Sequence, residues 1–151
     1  MSALDVPANV LIPSVAQELK ANPIIQPPAW VEVVKTSPHN ERPPSEPDFW
    51  FKRCASLLLT SYKRGVIGVR SLRRKYGGRT QHIVRRSHHK MAGGKIIRLA
   101  LQQLEKANYM QKVKRATSQD SGKMTEVGRI ITSQGRQLLD KTAAKLVKVV
   151  K

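Results

Sequence analysis

Between Val69 and Lys95 the chain concentrates side chains suited to holding phosphate. Arg70, Arg73 and Arg74 fall within one short helical run, where positions 70 and 74 share a face. Lys75, Arg79, Arg85, Arg86 and Lys90 carry the charge onward, with His88 and His89 among them. An arginine fork pairs with two phosphate oxygens at once, so this density is a polyanion signal. Gly77 and Gly78 have no side chain, and a sugar–phosphate backbone can approach their amides closely. Tyr76 offers a ring that could stack on an unpaired base, although a tyrosine at a helix end more commonly belongs to the core. Gly93-Gly94-Lys95 opens a further helix and can seat a phosphate against its amide-rich start.

Other chemistries find no constellation. His82, His88 and His89 suggest a metal at first sight. No acidic residue stands between Asp48 and Glu105, however, and the single cysteine, Cys54, sits on an apolar stripe. A zinc site needs about four ligands at close spacing, so neither a metal nor another cofactor is expected. Beyond residue 50 the acids are Glu105, Asp120, Glu126 and Asp140, scattered over different elements. That leaves no carboxylate pair for acid–base work. Neither a nucleophile elbow nor a phosphate-binding Gly-Lys-Ser/Thr loop occurs. We expect no enzyme and no small-molecule substrate.

The charge balance sharpens this reading. The net charge is +18 over 151 residues, yet residues 1–50 carry three basic and six acidic side chains, a net of −3. Residues 51–151 carry 25 basic and four acidic ones, a net of +21. Such a surplus repels itself in a compact fold and calls for a polyanionic partner. A membrane is not expected, because no apolar run approaches the roughly 20 residues a span needs and the basic residues are spread over several elements. No Lys or Arg precedes Lys20, so no secretory leader is expected, and a lone cysteine suits a reducing compartment.

The elements that must position these groups follow from periodicity and punctuation. We expect one domain over 1–151, with N-terminal helices in 1–36, a proline-rich connector over 37–47 and a core from 48 onward. Asp5 and Pro7 open a first helix with Val15 and Leu19 on its apolar stripe. Pro13 requires that helix to begin near Asn9 or to be kinked. Pro27-Pro28 introduce a short helix containing Trp30, Val33 and Val34. A central helix follows from Asp48, burying Phe51, Ala55, Leu58 and Tyr62, with Trp50, Cys54 and Leu57 widening the stripe. Its remaining face holds Lys52, Arg53, Ser56, Thr60, Lys63 and Arg64, of which the four cations are binding candidates. Gly65 ends it, a second helix spans Val69 to Tyr76, and residues 77–94 form a basic loop.

A third helix, from Gly94 to Asn108, should bury Ile97, Ala100, Leu101, Leu104 and Ala107 while presenting Lys95, Arg98 and Gln102 outward. Lys95 and Arg98 join the binding candidates. Strands are expected at Tyr109–Arg115 and Met124–Thr132 around a turn at Ser118–Gly122. Thr132 or Ser133 can cap a last helix that buries Leu139, Ala143, Leu146 and Val150 beneath an outer row of Lys141, Lys145 and Lys148. The order is that of a mainly α, winged-helix-like domain with a two-stranded hairpin wing and extra N-terminal helices.

A winged-helix DNA-binding regulator would share this order and charge. One duplex cannot touch the central helix edge, the loop and the last helix at once, whereas folded RNA can. The acidic N-terminal part could also pack on a basic protein. At this point particular segments carry a resemblance. Pro27-Pro28-Ala29-Trp30-Val31 with Val34-Lys35-Thr36, and Phe49-Trp50-Phe51 with Arg53-Cys54-Ala55-Ser56, are its first part. Tyr76-Gly77-Gly78-Arg79, Ala100-Leu101-Gln102-Gln103-Leu104-Glu105-Lys106 and Gly128-Arg129-Ile130-Ile131-Thr132 with Gly135 and Leu139-Asp140 continue it in order. Nearly the whole chain resembles the eukaryotic and archaeal small-subunit ribosomal protein nineteen family.

The resemblance implies a structural constituent of the small-subunit head. Its partners would be small-subunit ribosomal RNA and neighbouring head proteins, and it would be needed for subunit assembly and late maturation of that RNA. It implies a cytoplasmic ribosomal location, with a nucleolar phase during assembly in a eukaryote. By position, Arg53 and the segment Tyr76 to Arg79 match family residues on the RNA-facing side. Pro13 falls where the family runs a continuous helix, and the loop over 80–92 is unusually basic. The mechanism expected is an electrostatic clamp, in which cations neutralise RNA segments that would otherwise repel one another.

Overall fold

A computed structural model describes residues 2–81, 84–116 and 124–150. His82, the turn expected at Ser118–Gly122 and the side chain of Val150 lie outside the described residues. At the centre is α2 (Phe49–Arg64), which buries Trp50, Phe51, Cys54, Ala55, Leu57, Leu58 and Leu59. A helix apolar on more than one face must be covered from several sides. The cover comes from α1 (Ala8–Lys20), α4 (Gly94–Lys106), β4 (Met124–Ile131) and α5 (Ser133–Val150). Gly65 stops α2 at φ +75°, where an L side chain would be strained. Asp48, at the N-terminal cap position, gives its carboxylate to Lys20 of α1 at 2.8 Å instead of capping the helix.

Two N-terminal expectations are resolved. α1 begins at Ala8, within a residue of the expected start near Asn9, and runs through Pro13, which falls in its second turn and not its first. Pro13 is exposed, and water can satisfy the carbonyl its missing N–H leaves unbonded, while Leu11, Val15, Ala16 and Leu19 are buried. The helix expected after Pro27-Pro28 is a single 3-10 turn, Ala29–Glu32. It buries Val31 and stops before Val33, which is 80% exposed, and Val34 is exposed too. The register is set by Trp30, whose ring stands edge-on to Trp50 at 6.4 Å between centroids.

From α2 onward the architecture is the expected winged helix, mainly α with a small antiparallel wing. α3 (Val69–Lys75) packs on α4, and β3 (Met110–Ala116) pairs with β4 from Met110↔Ile131 to Ala116↔Met124. The register shifts between Val113 and Lys114, leaving Val127 as the extra residue of a bulge. Ile67, in the link between α2 and α3, adds a bridge to the outer side of β4 through paired bonds with Arg129 of 2.8 and 2.9 Å. That bridge needs Gly128, since a Cβ there would lie 2.6 Å from the Ile67 carbonyl oxygen. The Arg129 guanidinium donates to Glu105 of α4 at 3.0 Å, which fastens the wing to the helix behind it.

The third helix ends one residue before Ala107, its C-terminal cap, and Asn108 takes a left-handed conformation at φ 59°. Thr132 caps α5, its hydroxyl accepting from the Gly135 amide at 3.3 Å. Leu139 and Ala143 are fully buried, Leu146 is partly so, and Lys145 ties α5 to Glu18 of α1 at 2.6 Å. Residues 77–94 are not wholly a loop. β1 (Gly78–Arg79) and β2 (His89–Lys90) pair antiparallel, because Gly77 and Gly78 let the chain fold tightly back against α3.

Candidate nucleic-acid interface

The densest cationic surface forms where the end of α2 meets α3. Arg64, Arg70, Arg74 and Lys75 line one open groove together with Gly68 and Ser71. Leu72 is the single buried residue of α3, and it turns Arg70, Arg74 and Lys75 toward the groove. Burial, then the neighbouring charges of Arg64, Lys63 and Arg53, hold the Lys75 ammonium below its ordinary range. Its proton is directed onto the Thr60 hydroxyl. Among the described residues, Lys63, Arg64, Arg70, Arg74, Arg79, Arg85, Arg86, Lys90 and Arg98 have no acidic partner within ion-pair distance. A surface with unneutralised, mutually repelling cations is one that a polyanion stabilises.

Arg53 stands behind this groove, and its role is more structural than its place on the basic edge suggests. Its guanidinium lies over the Tyr76 ring at 4.1 Å and the Phe49 ring at 5.1 Å, a sandwich between two aromatic faces. Burial pushes its pKa down, though an arginine remains charged at neutral pH. The Tyr76 hydroxyl is 2.7 Å from the Ser56 hydroxyl. Tyr76 is therefore half-buried core beside this surface, with the Arg53 and Lys75 cations both over its ring. The face of α2 carrying Ser56 and Thr60 was expected to be open, but Thr60 is 2% exposed because the end of α3 closes over it.

Arg73 turns away from the groove. It donates from Nε to the Ala92 carbonyl at 2.9 Å while its own carbonyl accepts from the Ala92 amide, closing the β1–β2 excursion against α3. Its side chain and that of Arg98 flank Gly94 at the start of α4, so these two cations from separate elements meet there. A Cβ on Gly77 would clash with the Lys90 carbonyl oxygen, and one on Gly78 would strike the His39 ring at 2.7 Å. His88, His89 and Lys90 are exposed along this hairpin, as are Arg85 and Arg86.

A second groove holds residues the sequence reading missed. Lys35, just before the connector, and Arg42 within it join Arg79, Thr80 and Gln81 around His39, Asn40 and Glu41. The only signal for them was that Lys35 and Arg42 are two of the three cations in the acidic first fifty residues. The connector is held there by the Gly93 amide, which donates to the Thr36 carbonyl at 2.8 Å, and by Ser37, whose hydroxyl is 2.7 Å from His39 Nδ1.

Two candidates stand apart from this surface. Lys52 is paired with Glu46 at 2.6 Å, and Lys95 sits over the Trp30 ring at 4.7 Å. The segment from Gln26 to Thr36 is tied along α4, since Gln103 accepts from the Trp50 indole and donates to the Gln26 carbonyl, both at 2.8 Å. A recognition helix must present a clear face to enter a major groove, and here that face is flanked by the N-terminal segment. Among the described residues no three His, Cys, Asp or Glu side chains come close enough to hold a metal, and no helix is long and apolar enough to cross a membrane.

Comparison with known proteins agrees with this geometry. The family model described as ribosomal protein S19e matches residues 2–149. The chain is similar to small ribosomal subunit protein eS19 of Aeropyrum pernix, 42% identical over 97% of this chain and 90% of the relative. The corresponding protein of Haloarcula marismortui is 42% identical over 95% of this chain and 89% of its own length. Small ribosomal subunit protein eS19A of Schizosaccharomyces pombe is 34% identical, covering 97% of this chain and 94% of the relative.

Proposed function

The chain belongs to the ribosomal protein S19e family, structural and non-enzymatic constituents of the ribosome, and on that premise we propose that it holds small-subunit ribosomal RNA through the cationic surface around α3. The observation that carries this reading is the groove of Arg64, Arg70, Arg74 and Lys75, continued by Arg79, Arg85, Arg86 and Lys90 without acidic neutralisation among the described residues. Arg64, Arg70 and Arg74 contact phosphates, whose charge relieves the repulsion among them. Arg53 positions Tyr76 and the glycine turn behind it. Gly77 and Gly78 let the hairpin turn back tightly, which holds Arg79 and Lys90 beside that surface. The connector groove with Lys35, Arg42 and Arg79 takes a second RNA segment, and the helical platform fixes the distance between the two.

Clamping of this kind supports subunit assembly and late maturation of the small-subunit RNA, because precursor segments held apart by charge are brought into one geometry. Small-subunit head proteins are its neighbours. It works in cytoplasmic ribosomes, with a nucleolar phase in a eukaryote. The test is sucrose-gradient sedimentation of a tagged copy while small-subunit RNA precursors are followed during depletion. Co-sedimentation with small subunits and accumulation of unprocessed precursor are expected. Free sedimentation with chromatin association would overturn the reading in favour of a DNA-binding regulator.

A further inference from the structure

On the side of the molecule built from the acidic N-terminal part lies a partly enclosed groove of about 120 Å³. Its walls are Pro27, Pro28, Pro44 and Pro47, brought together because the 3-10 turn and the end of the connector both pack against the start of α2, and Phe49 and Trp50 close its base. Proline rings are rigid and offer no amide donors, so the groove is preshaped and suited to apolar stems. Two carboxylates stand at its edge. Glu32 has no ion-pair partner among the described residues, and Glu46 uses one oxygen on Lys52. Beyond Glu32 the chain presents Val33, 80% exposed, and Val34, 43% exposed, an apolar shoulder next to the groove.

We propose that this groove takes a lysine-bearing extended segment of a neighbouring protein in the small subunit. A lysine packs its methylene stem on apolar walls while its ammonium stays at the polar edge. Here the walls are proline and aromatic, and the edge carries Glu32 and Glu46. The volume suits one long side chain at a time, and Val33 and Val34 extend the contact to the residues beside it. Charge decides the class of partner. The groove's own lining holds two acids, Glu32 and Glu46, and no cation, so it disfavours phosphate and attracts a positive side chain. The proposal rests on the chain's place in the small subunit and not on which RNA it holds.

Zero-length carbodiimide coupling of purified small subunits, followed by peptide mapping, tests it. The expected product joins Glu32 or Glu46 to a lysine in another ribosomal protein. In subunits carrying Glu32→Lys, coupling at Glu46 to that same lysine should fall severalfold while the variant still enters subunits. Coupling of Glu32 and Glu46 only to lysines of this chain or of a second copy, or no coupling at either, would overturn the proposal. So would unchanged coupling at Glu46 in the Glu32→Lys subunits. Binding of the free variant to a small-subunit RNA fragment is measured in parallel. A loss there would count against the RNA assignment of the α3 surface, whereas the coupling result speaks only to the groove.

Discussion

Arg53 and Cys54, adjacent on α2, show how burial redirects residues whose types suggest chemistry. Arg53 is held by aromatic faces on both sides, and a lysine keeps the charge but not the planar stack. Arg53→Lys should therefore cost about 1–2 kcal/mol in urea unfolding, and stability equal to the parent would remove the stacking role. Cys54 is buried among apolar side chains, which pushes its thiol up to about 12. A raised pKa contributes stability that is complete below the unfolded thiol's ordinary value near 9 and drains as pH rises toward about 12. Between those limits the loss approaches about 1.4 kcal/mol per pH unit. Comparing parent with Cys54→Ala should show a shallower alkaline decline in the variant. Parallel curves would mean the thiol does not contribute.

At the scale of elements, α4 and the wing are where fold and site depend on each other. Leu101 is completely buried in α4, and Leu101→Ala should destabilise by roughly 2–5 kcal/mol in chemical unfolding. An unchanged midpoint would mean that the buried face of α4 is wrongly assigned. Gly128 is a sharper probe, because the Ile67 backbone passes where its side chain would be. Gly128→Val should break the paired bonds between Ile67 and Arg129 and loosen the α2–α3 link that carries Gly68 into the cationic groove. Faster amide exchange at Ile67 and Arg129 is the expected readout. Protection equal to the parent would show that the bridge tolerates a side chain.

For the whole molecule the organising quantity is charge separation. An acidic N-terminal part and a strongly basic remainder are folded so that cations of α2, α3, the β1–β2 hairpin and the connector line two separate grooves. Phosphate binding of this kind weakens linearly in log–log salt plots, with a slope that counts neutralised phosphates. Arg70→Ala and Arg74→Ala should each weaken binding to small-subunit RNA fragments and flatten that slope by about one. Arg53→Lys should leave the slope unchanged, because the charge is kept. A full parental slope in both alanine variants would move the contact away from α3.

The sequence by itself determined the cation excess that points to a polyanion, the lack of a catalytic constellation and the winged-helix order. Those depend on composition, on helical periodicity and on punctuation such as Gly65, all of which are local. It also placed both wing strands to within a residue of their observed ends. Only the tertiary structure decided which cations act together. Lys52 and Lys95 are helix cations like those of the groove, yet Glu46, six residues before Lys52, pairs with the first and Trp30 covers the second from across the fold. Lys35 and Arg42, in a segment with no periodicity, join Arg79 because Thr36 is bonded to Gly93 far along the chain. Thr60 looked exposed on a helical wheel and is covered by the end of α3. Periodicity reports which face of an element is apolar. The partner that covers a polar face is set by contacts between residues distant in sequence, and it becomes visible only once the elements are packed.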